Sequence, residues 1–247
     1  MKILVAIEQI LDPAGLMVNR KAGKVFVNRE AYVTNPAGKR ALEAALRIKD
    51  GTDADVIVAA IGPARTADAL LEARAMGADR AILIPTDTTD EALVVRLLTA
   101  LFKHIGGVDL LLTGDSALDT GISLGPRLSQ ALNFAYLGSA VQCVVEGSAV
   151  RIVRRDDPAG RLYNAYEADL PAIVTITCEG PAPRYAHGGK IITTYRDANA
   201  VETIPLSGLG LSESDLQPVA VERGQSFPPE REFGRQVSVE QIAALIR

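Results

Sequence analysis

Thr113-Gly114-Asp115-Ser116 closes a short apolar run and continues through Ala117-Leu118-Asp119-Thr120-Gly121-Ile122-Ser123-Leu124-Gly125 into a helical pattern. Glycines, hydroxyls and the amides of a helix start suit a phosphate or diphosphate, because the donors point one way and the helix dipole favours an anion. The same Asp, Ser and Thr residues are also ordinary caps, so the stretch reads equally as a well-capped connection. Two further strand ends are candidates for the same crevice. Ala6, within Val5-Ala6-Ile7, is small enough to admit a ring, and Ile61-Gly62-Pro63 offers an apolar wall. Such groups suit the flat face of an adenine and suit tight strand–helix packing just as well.

No other chemistry is spelled out. The chain has no GxxxxGK[ST] loop and no HExxH. Asp156-Asp157 precede Pro158 and are expected to form a turn rather than an acid–base pair. Gly208-Leu209-Gly210 begins like a dinucleotide fingerprint, but it follows no strand and lacks the last glycine. Cys143 and Cys178 form no CxxC and lie in strand-like runs, which predicts reduced, buried, structural thiols in a cytosol-like compartment. His104 and His187 are too few for a histidine-rich metal site, and His104 is expected as a cation at a helix C-terminus. The expected sets of catalytic and metal-binding residues are therefore empty.

The elements that must position the candidate loop follow from periodicity. Residues 3–7, 56–61, 81–84 and 110–113 are short apolar runs rich in branched residues, as in strands buried on both faces of a parallel sheet. Helices are predicted between them. The first follows Asn35-Pro36, a cap and a first-turn proline, with Ala41, Leu42, Ala45 and Ile48 inward. The second spans about 66–76 and stops at Gly77. The third opens at Thr89-Asp90-Glu91, carries the stripe Leu93, Leu97, Leu101 and Ile105, and ends at Gly106-Gly107. A fourth covers about 122–132. Alternation of this kind predicts an α/β fold, a mostly parallel Rossmann-like sheet flanked by helices. Residues 141–146, 150–155 and 162–168 then read as an antiparallel meander at the sheet edge, and 172–177 as one more apolar strand.

The expected organisation is a nucleotide-binding α/β domain over 1–190 and an extended C-terminal arm over 191–247. The arm carries four prolines between Pro205 and Pro229 and ends in Ser238-Val239-Glu240-Gln241, a capping-box pattern. Its short terminal helix needs something to dock against, either its own domain or, as the favoured reading, a partner chain.

Composition bounds the rest. The chain of 247 residues is 48% hydrophobic and 23% charged, which builds a core and excludes general disorder. A net charge of −4 argues against a nucleic-acid partner. No apolar run approaches the roughly 18–20 residues of a membrane span, and Glu8 interrupts the N-terminal run, so no secretory signal is expected.

MKILVAI at the start, Asn35-Pro36 followed by ALEAALRIK (41–49), Ile61-Gly62-Pro63, AMGADRAIL (75–83), the 154–175 stretch ending in LPAIVT, and Pro183-Arg184-Tyr185-Ala186 occur in one order. Together, over about residues 1–190, they resemble the beta (small) subunit of electron transfer flavoprotein. The resemblance implies a heterodimer with a larger alpha subunit that holds most of the FAD, an AMP of structural role in this chain, and a cytoplasmic or mitochondrial-matrix location. It implies an electron carrier without substrate chemistry of its own. The nucleotide contacts it implies are Ala6, Asn35, Pro36, Ala37, Gly38, Ile61 and the loop from Gly114 and Asp115 through Ser116, Ala117, Leu118, Asp119, Thr120, Gly121, Ile122 and Ser123 to Leu124. Leu11-Asp12-Pro13 would approach the flavin.

Several departures accompany the resemblance. Leu118–Gly125 is about one residue shorter than is usual, with Thr120 and Ser123 as its remaining hydroxyls, and Glu8-Gln9 stands where a basic pair is common. Between His187 and Tyr195, where family members dock a dehydrogenase through a leucine, this chain carries glycine at the aligned position. That implies a different dehydrogenase or a different anchor, such as Ile191. The alternatives are an electron-bifurcating type holding a second FAD in place of AMP, for which Gly125-Pro126 speaks, and a stand-alone adenine-nucleotide-binding regulator.

Overall fold

Six consecutive residues at the N-terminus are apolar or carry long aliphatic stems, and they form the strand β1 (Lys2–Ile7) at the centre of the molecule. Ile3, Leu4 and Val5 are fully buried, each contributing roughly 1.5–3 kcal/mol of hydrophobic burial. The computed structural model describes residues 1–86, 88, 90–115, 124–157, 159 and 161–219. Beyond them it describes 223, 224, 226, 227, 229, 234, 236–238, 241 and 242.

After β1 the chain makes two small antiparallel pairs, β2 (Gln9–Leu11) with β5 (Tyr32–Thr34), and β3 (Leu16–Asn19) with β4 (Lys24–Val27). It then alternates α1 (Pro36–Gly51), β6 (Asp55–Gly62), α2 (Ala67–Met76), β7 (Arg80–Pro85), α3 (Glu91–His104) and β8 (Leu110–Gly114). There follow α4 (Leu124–Leu132), β9 (Ala135–Glu146), β10 (Ala149–Arg155), β11 (Tyr163–Asp169), β12 (Ala172–Ile176), α5 (Gly188–Arg196) and β13 (Glu202–Thr203). Nine strands make one sheet in the order β11-β10-β9-β12-β8-β1-β6-β7-β13. All neighbours from β9 to β13 along that order run parallel, and β9, β10 and β11 form the antiparallel meander. The α/β expectation holds.

Each face of the sheet has its own core. Ile3, Val5 and Ile7 pack with α1 and α2 on one side, while Leu4 and Ala6 pack with α3 and α4 on the other. The inward stripe of α1 and Leu93, Leu97 and Leu101 of α3 are buried as their spacing predicts. Gly77 closes α2 at φ 132°. Asp90 caps α3, accepting the Ala92 and Leu93 amides at 2.9 and 3.3 Å. Lys103 and His104 fall in the last turn of α3, where cations are favourable.

Three details differ from expectation. β9 begins at Ala135 rather than at 141, because its weakly β-forming start is held by parallel pairing to β12. Ser139 sits there at φ 57°, its amide donating to the buried Thr175 hydroxyl at 3.0 Å. Cys178 is exposed, since β12 stops at Ile176 and the chain turns; only Cys143 is buried, and burial pushes its thiol up to about 12. Asp157 does form the turn, accepting the amides of residues 161 and 162, but Asp156 belongs to a side-chain cluster.

The chain past residue 190 contributes to this body. α5 lies on α2, and β13 pairs with β7 and buries Ile204. Asp215 pairs with Arg96 of α3 at 2.7 Å, and the Val219 amide donates to Asp90 at 2.7 Å. Ser238 and Gln241 exchange capping-box hydrogen bonds, the Ser238 amide donating to Oε1 of Gln241 at 3.1 Å. The rest of the expected terminal helix (239, 240, 243–247) and the expected cap Thr89 lie outside the described residues.

Candidate functional site

From β1 the chain runs to β6 and β7 on one side, then returns to place β8 on the other. The carboxyl ends of β1 and β8 therefore flank a topological switch point, where open parallel sheets have their crevice.

Three backbone segments converge there. The first is the end of β1, where Ala6 presents only a methyl and is 4% exposed. The second is the start of α1. Asn35, 2% exposed, donates its amide to the Glu8 carbonyl at 2.8 Å, and its side-chain nitrogen donates to Oε2 of Glu8 at 3.1 Å. Its side-chain oxygen accepts the Ala37 amide at 3.1 Å, and Pro36 takes the first turn, where a missing N–H costs nothing. So Asn35 caps α1 and ties that cap to the end of β1. The third is the end of β8. A Cβ at Gly114 would lie 2.9 Å from Cβ of Ala37 and 2.9 Å from the Gly38 nitrogen, so β8 and α1 are in backbone contact. The Asp115 amide donates to the Ile176 carbonyl at 3.0 Å and fixes the exit of β8 against β12.

The structure thus brings Ala6, Asn35, Pro36, Ala37, Gly38, Gly114 and Asp115 together. Ile61 is half-buried, and with Leu124 it belongs to the core that holds Ala6, on the α3/α4 side of the sheet. Ser116, Ala117, Leu118, Asp119, Thr120, Gly121, Ile122 and Ser123 lie outside the described residues. At the α4 end, a Cβ on Gly125 would come within 2.5 Å of Thr175 and Tyr136 side chains, so glycine there lets α4 close on β12 and β9. Asn35→Ala removes one capping bond and the side-chain tie to Glu8, while the backbone tie stays; thermal unfolding is expected to show a loss of about 1–2 kcal/mol.

Sequence reasoning missed the groups that hold Pro183-Arg184-Tyr185-Ala186 in place. Arg184 donates from Nε to Oε2 of Glu43 at 2.9 Å and from Nη2 to Oδ2 of Asp50 at 2.6 Å. Glu43, Arg47 and Asp50 share one face of α1, a charge spacing that is visible in the sequence. Burial alone would raise the Glu43 carboxyl, but hydrogen bonds from Arg184 and Arg47 hold it below its ordinary value. Beyond Arg184 a cleft of about 520 Å³ opens between β5, α2 and α5, with Gln9, Thr34, Lys39, Glu72 and Tyr195 among its walls. Glu72 accepts from the Thr34 hydroxyl at 2.9 Å and pairs with Lys39. Burial, followed by the nearby Asp68 and Glu72, raises the Tyr195 hydroxyl.

On the meander, hydrogen bonds from Tyr166, Asn164 and Arg154 hold the Asp156 carboxyl down at about 2, with Arg154 stacked 4.4 Å over the Tyr166 ring. Contrary to expectation a strand does precede Gly208 and Gly210, since they lie in and after a 3-10 turn near α3 that follows the two-residue β13. Among the described residues no group of three or more His, Cys, Asp or Glu is placed to hold a metal ion, and no helix is long and apolar enough to cross a membrane.

The electron transfer flavoprotein domain, as a family profile, matches residues 23–200. Subunit CarD of the caffeyl-CoA reductase-Etf complex of Acetobacterium woodii is 30% identical over 239 residues, 95% of this chain and 90% of that protein. The electron transfer flavoprotein subunit beta of Bradyrhizobium diazoefficiens is 30% identical over 215 residues, 86% of this chain and 85% of its own length. The mitochondrial subunit beta of Arabidopsis thaliana is 29% identical over 244 residues, covering 96% and 94%. The domain match, the similarity along nearly the whole length and the strand ends that meet at the switch point agree, and the chain belongs to the electron transfer flavoprotein family, among its beta subunits.

Proposed function

We propose that this chain is the beta subunit of a heterodimeric electron carrier, pairing with an alpha subunit that holds most of an FAD and itself holding a structural AMP. The observation that carries the reading is the meeting of Ala6, the Asn35-capped start of α1 and Gly114 at the switch point between β1 and β8. The residues fit an adenylate. Ala6 and Ile61 offer a small, apolar wall to the base, the α1 start offers the Gly38 amide, and the 114–124 sequence offers glycines and hydroxyls to a phosphate.

This chain's residues position and shield; none is assigned a bond-making role. FAD supplies the electron chemistry when bound. Leu11, Asp12 and Pro13, which follow β1 in the chain, would approach the flavin held by the second subunit. A dehydrogenase docks around α5, where Ile191, Ile192 and Tyr195 are exposed.

Co-expression with a candidate alpha subunit, purification, heat denaturation and chromatography of the released nucleotides tests the reading. One FAD and one AMP per heterodimer is the expected result. Two FAD would establish the bifurcating alternative, which the similarity to CarD and Gly125-Pro126 favour over a stand-alone regulator. A flavin-free homomer would overturn both.

A further inference from the structure

The hairpin of β3 and β4 is apolar and has no cover. Leu16 pairs with Val27 and Val18 with Val25, so these four aliphatic side chains share one face; Met17 and Phe26 pair on the other. Leu16, Val18 and Val27 are 39%, 56% and 52% exposed and Met17 and Phe26 are 53% and 46%, so the wider, all-aliphatic face is marked by its extent, and no residue of the hairpin belongs to either core. A lone two-stranded ribbon is marginal in water, and a continuous apolar face on one marks a contact surface.

The ribbon is nevertheless well built. Its tip is set by Asn19, whose side chain accepts the Ala22 amide at 3.0 Å, and by Gly23 at φ 58°. Its base is pinned by the Gly15 carbonyl, which accepts the amides of Asn28 and Arg29 at 2.9 and 3.2 Å. A preformed arm loses little freedom when it is covered.

Charge says what covers it. On a chain of net charge −4, residues 16–29 include Arg20, Lys21, Lys24 and Arg29 and no acid. Arg29 pairs with Asp12, and Arg20, Lys21 and Lys24 at the tip are exposed. A hairpin that enters lipid needs apolar groups at its tip and cations behind them, level with the headgroups. Here the order is reversed, with cations at the tip and aliphatic groups between tip and body. That order fits a protein surface with an apolar strip ending in carboxylates.

We propose that the β3–β4 hairpin is the arm with which this chain grips the second subunit of the flavoprotein pair, its Leu16/Val18/Val25/Val27 face on an apolar strip and its basic tip against carboxylates at the strip's end. The inference rests on the heterodimer reading above.

The test uses the co-expressed, flavin-loaded pair, with the subunit dissociation constant measured by dilution and sedimentation over a range of salt. Val18→Thr with Val27→Thr keeps branched strand residues and is expected to weaken pairing at least tenfold. Lys21→Glu with Lys24→Glu is expected to weaken it about as much and to flatten its salt dependence. Met17→Thr, on the opposite face, is expected to stay within twofold. The free full-length chain should melt at the same temperature in every variant. The inference is overturned if the parent pair assembles and both double variants assemble within twofold of it, which leaves the heterodimer reading standing. It is equally overturned if the variants lower the chain's own melting temperature, or if the hairpin carries the chain onto phosphatidylserine vesicles while pairing is unchanged. A parent chain that takes up no second subunit overturns both readings together.

Discussion

Gly114→Ala is expected to destabilise the fold by about 1–3 kcal/mol and to weaken adenylate binding about 10–100-fold. The added Cβ would sit 2.9 Å from Cβ of Ala37, 2.9 Å from the Gly38 nitrogen and 3.1 Å from the Ala37 carbonyl carbon. Two of these three neighbours are backbone atoms, and no rotamer change relieves the overlap. Either β8 or the first turn of α1 must shift. Asn35 ties that turn to Glu8, so a shift would strain the cap and displace the Gly38 amide assigned to the phosphate. Losing one charge-assisted hydrogen bond of about 1.5–3 kcal/mol accounts for the predicted fall in affinity. Calorimetric melting and AMP titration of the nucleotide-stripped protein measure the two effects separately. Gly51→Ala at the other end of α1, with nothing within 4 Å of the new methyl, is the control and should gain about 0.5–1 kcal/mol. A Gly114→Ala protein that melts with its parent and keeps its nucleotide would show that the contact is not limiting.

Arg184→Ala is expected to cost about 2–3 kcal/mol at pH 7. Removing one partner of a fully buried ion pair costs about 3–5 kcal/mol. Here the cost is smaller, because Arg47 still reaches Glu43 at 2.9 Å and the Arg184 side chain is 31% exposed. What remains is the Glu43 carboxylate, 4% exposed, with its main counter-ion gone. Arg184→Lys should recover only part of the loss, since one ammonium cannot serve Glu43 and Asp50 at once.

The deficit should depend on pH with a definite sign. In the parent, Glu43 is more acidic folded than unfolded, so its pairing stabilises at pH above the ordinary glutamate range and is lost as pH falls through the lowered folded value. In Arg184→Ala, burial is opposed only by Arg47, and the carboxyl rises. The stability gap between variant and parent therefore narrows from pH 7 towards pH 3.5, as both proteins bind the same proton. Urea unfolding at the two pH values measures it. A gap of equal size at both would assign the loss to packing of the arginine stem instead.

How far the sequence alone reaches can be judged element by element. The apolar runs of β1, β6, β7 and β8 are continuous because both faces are covered, and Asn35-Pro36 marks the α1 start within one residue; local rules sufficed. β9 was cut short because Ala135, Gly138 and Ser139 have little strand preference, and its first half exists only through the non-local partner β12. β13, two residues long, carries no period at all. The hairpin hid for a different reason. Leu16-Met17-Val18 reads as a core segment, and nothing local says that no core lies beside it. Cys178 failed similarly, since the strand stops two residues earlier for reasons set by the turn. Of the candidate site, Ala6 and Gly114 follow from residue type and position, whereas Asn35–Gly38 read locally only as a helix start and enter the site through the family resemblance; their contact depends on how β8 returns beside β1, which spacing does not encode.

Asn35 returns to Glu8, and while Ile10, Tyr32 and Thr34 stay tied to the body, the β3–β4 hairpin between them is a detour from the frame. The frame does not register how long the detour is, because the entropy of closing such a loop grows only with the logarithm of its length. A change in the length of that hairpin is therefore expected to leave the start of α1 in place. A chain wired this way can reshape one exposed arm without disturbing the strand and helix from which it springs.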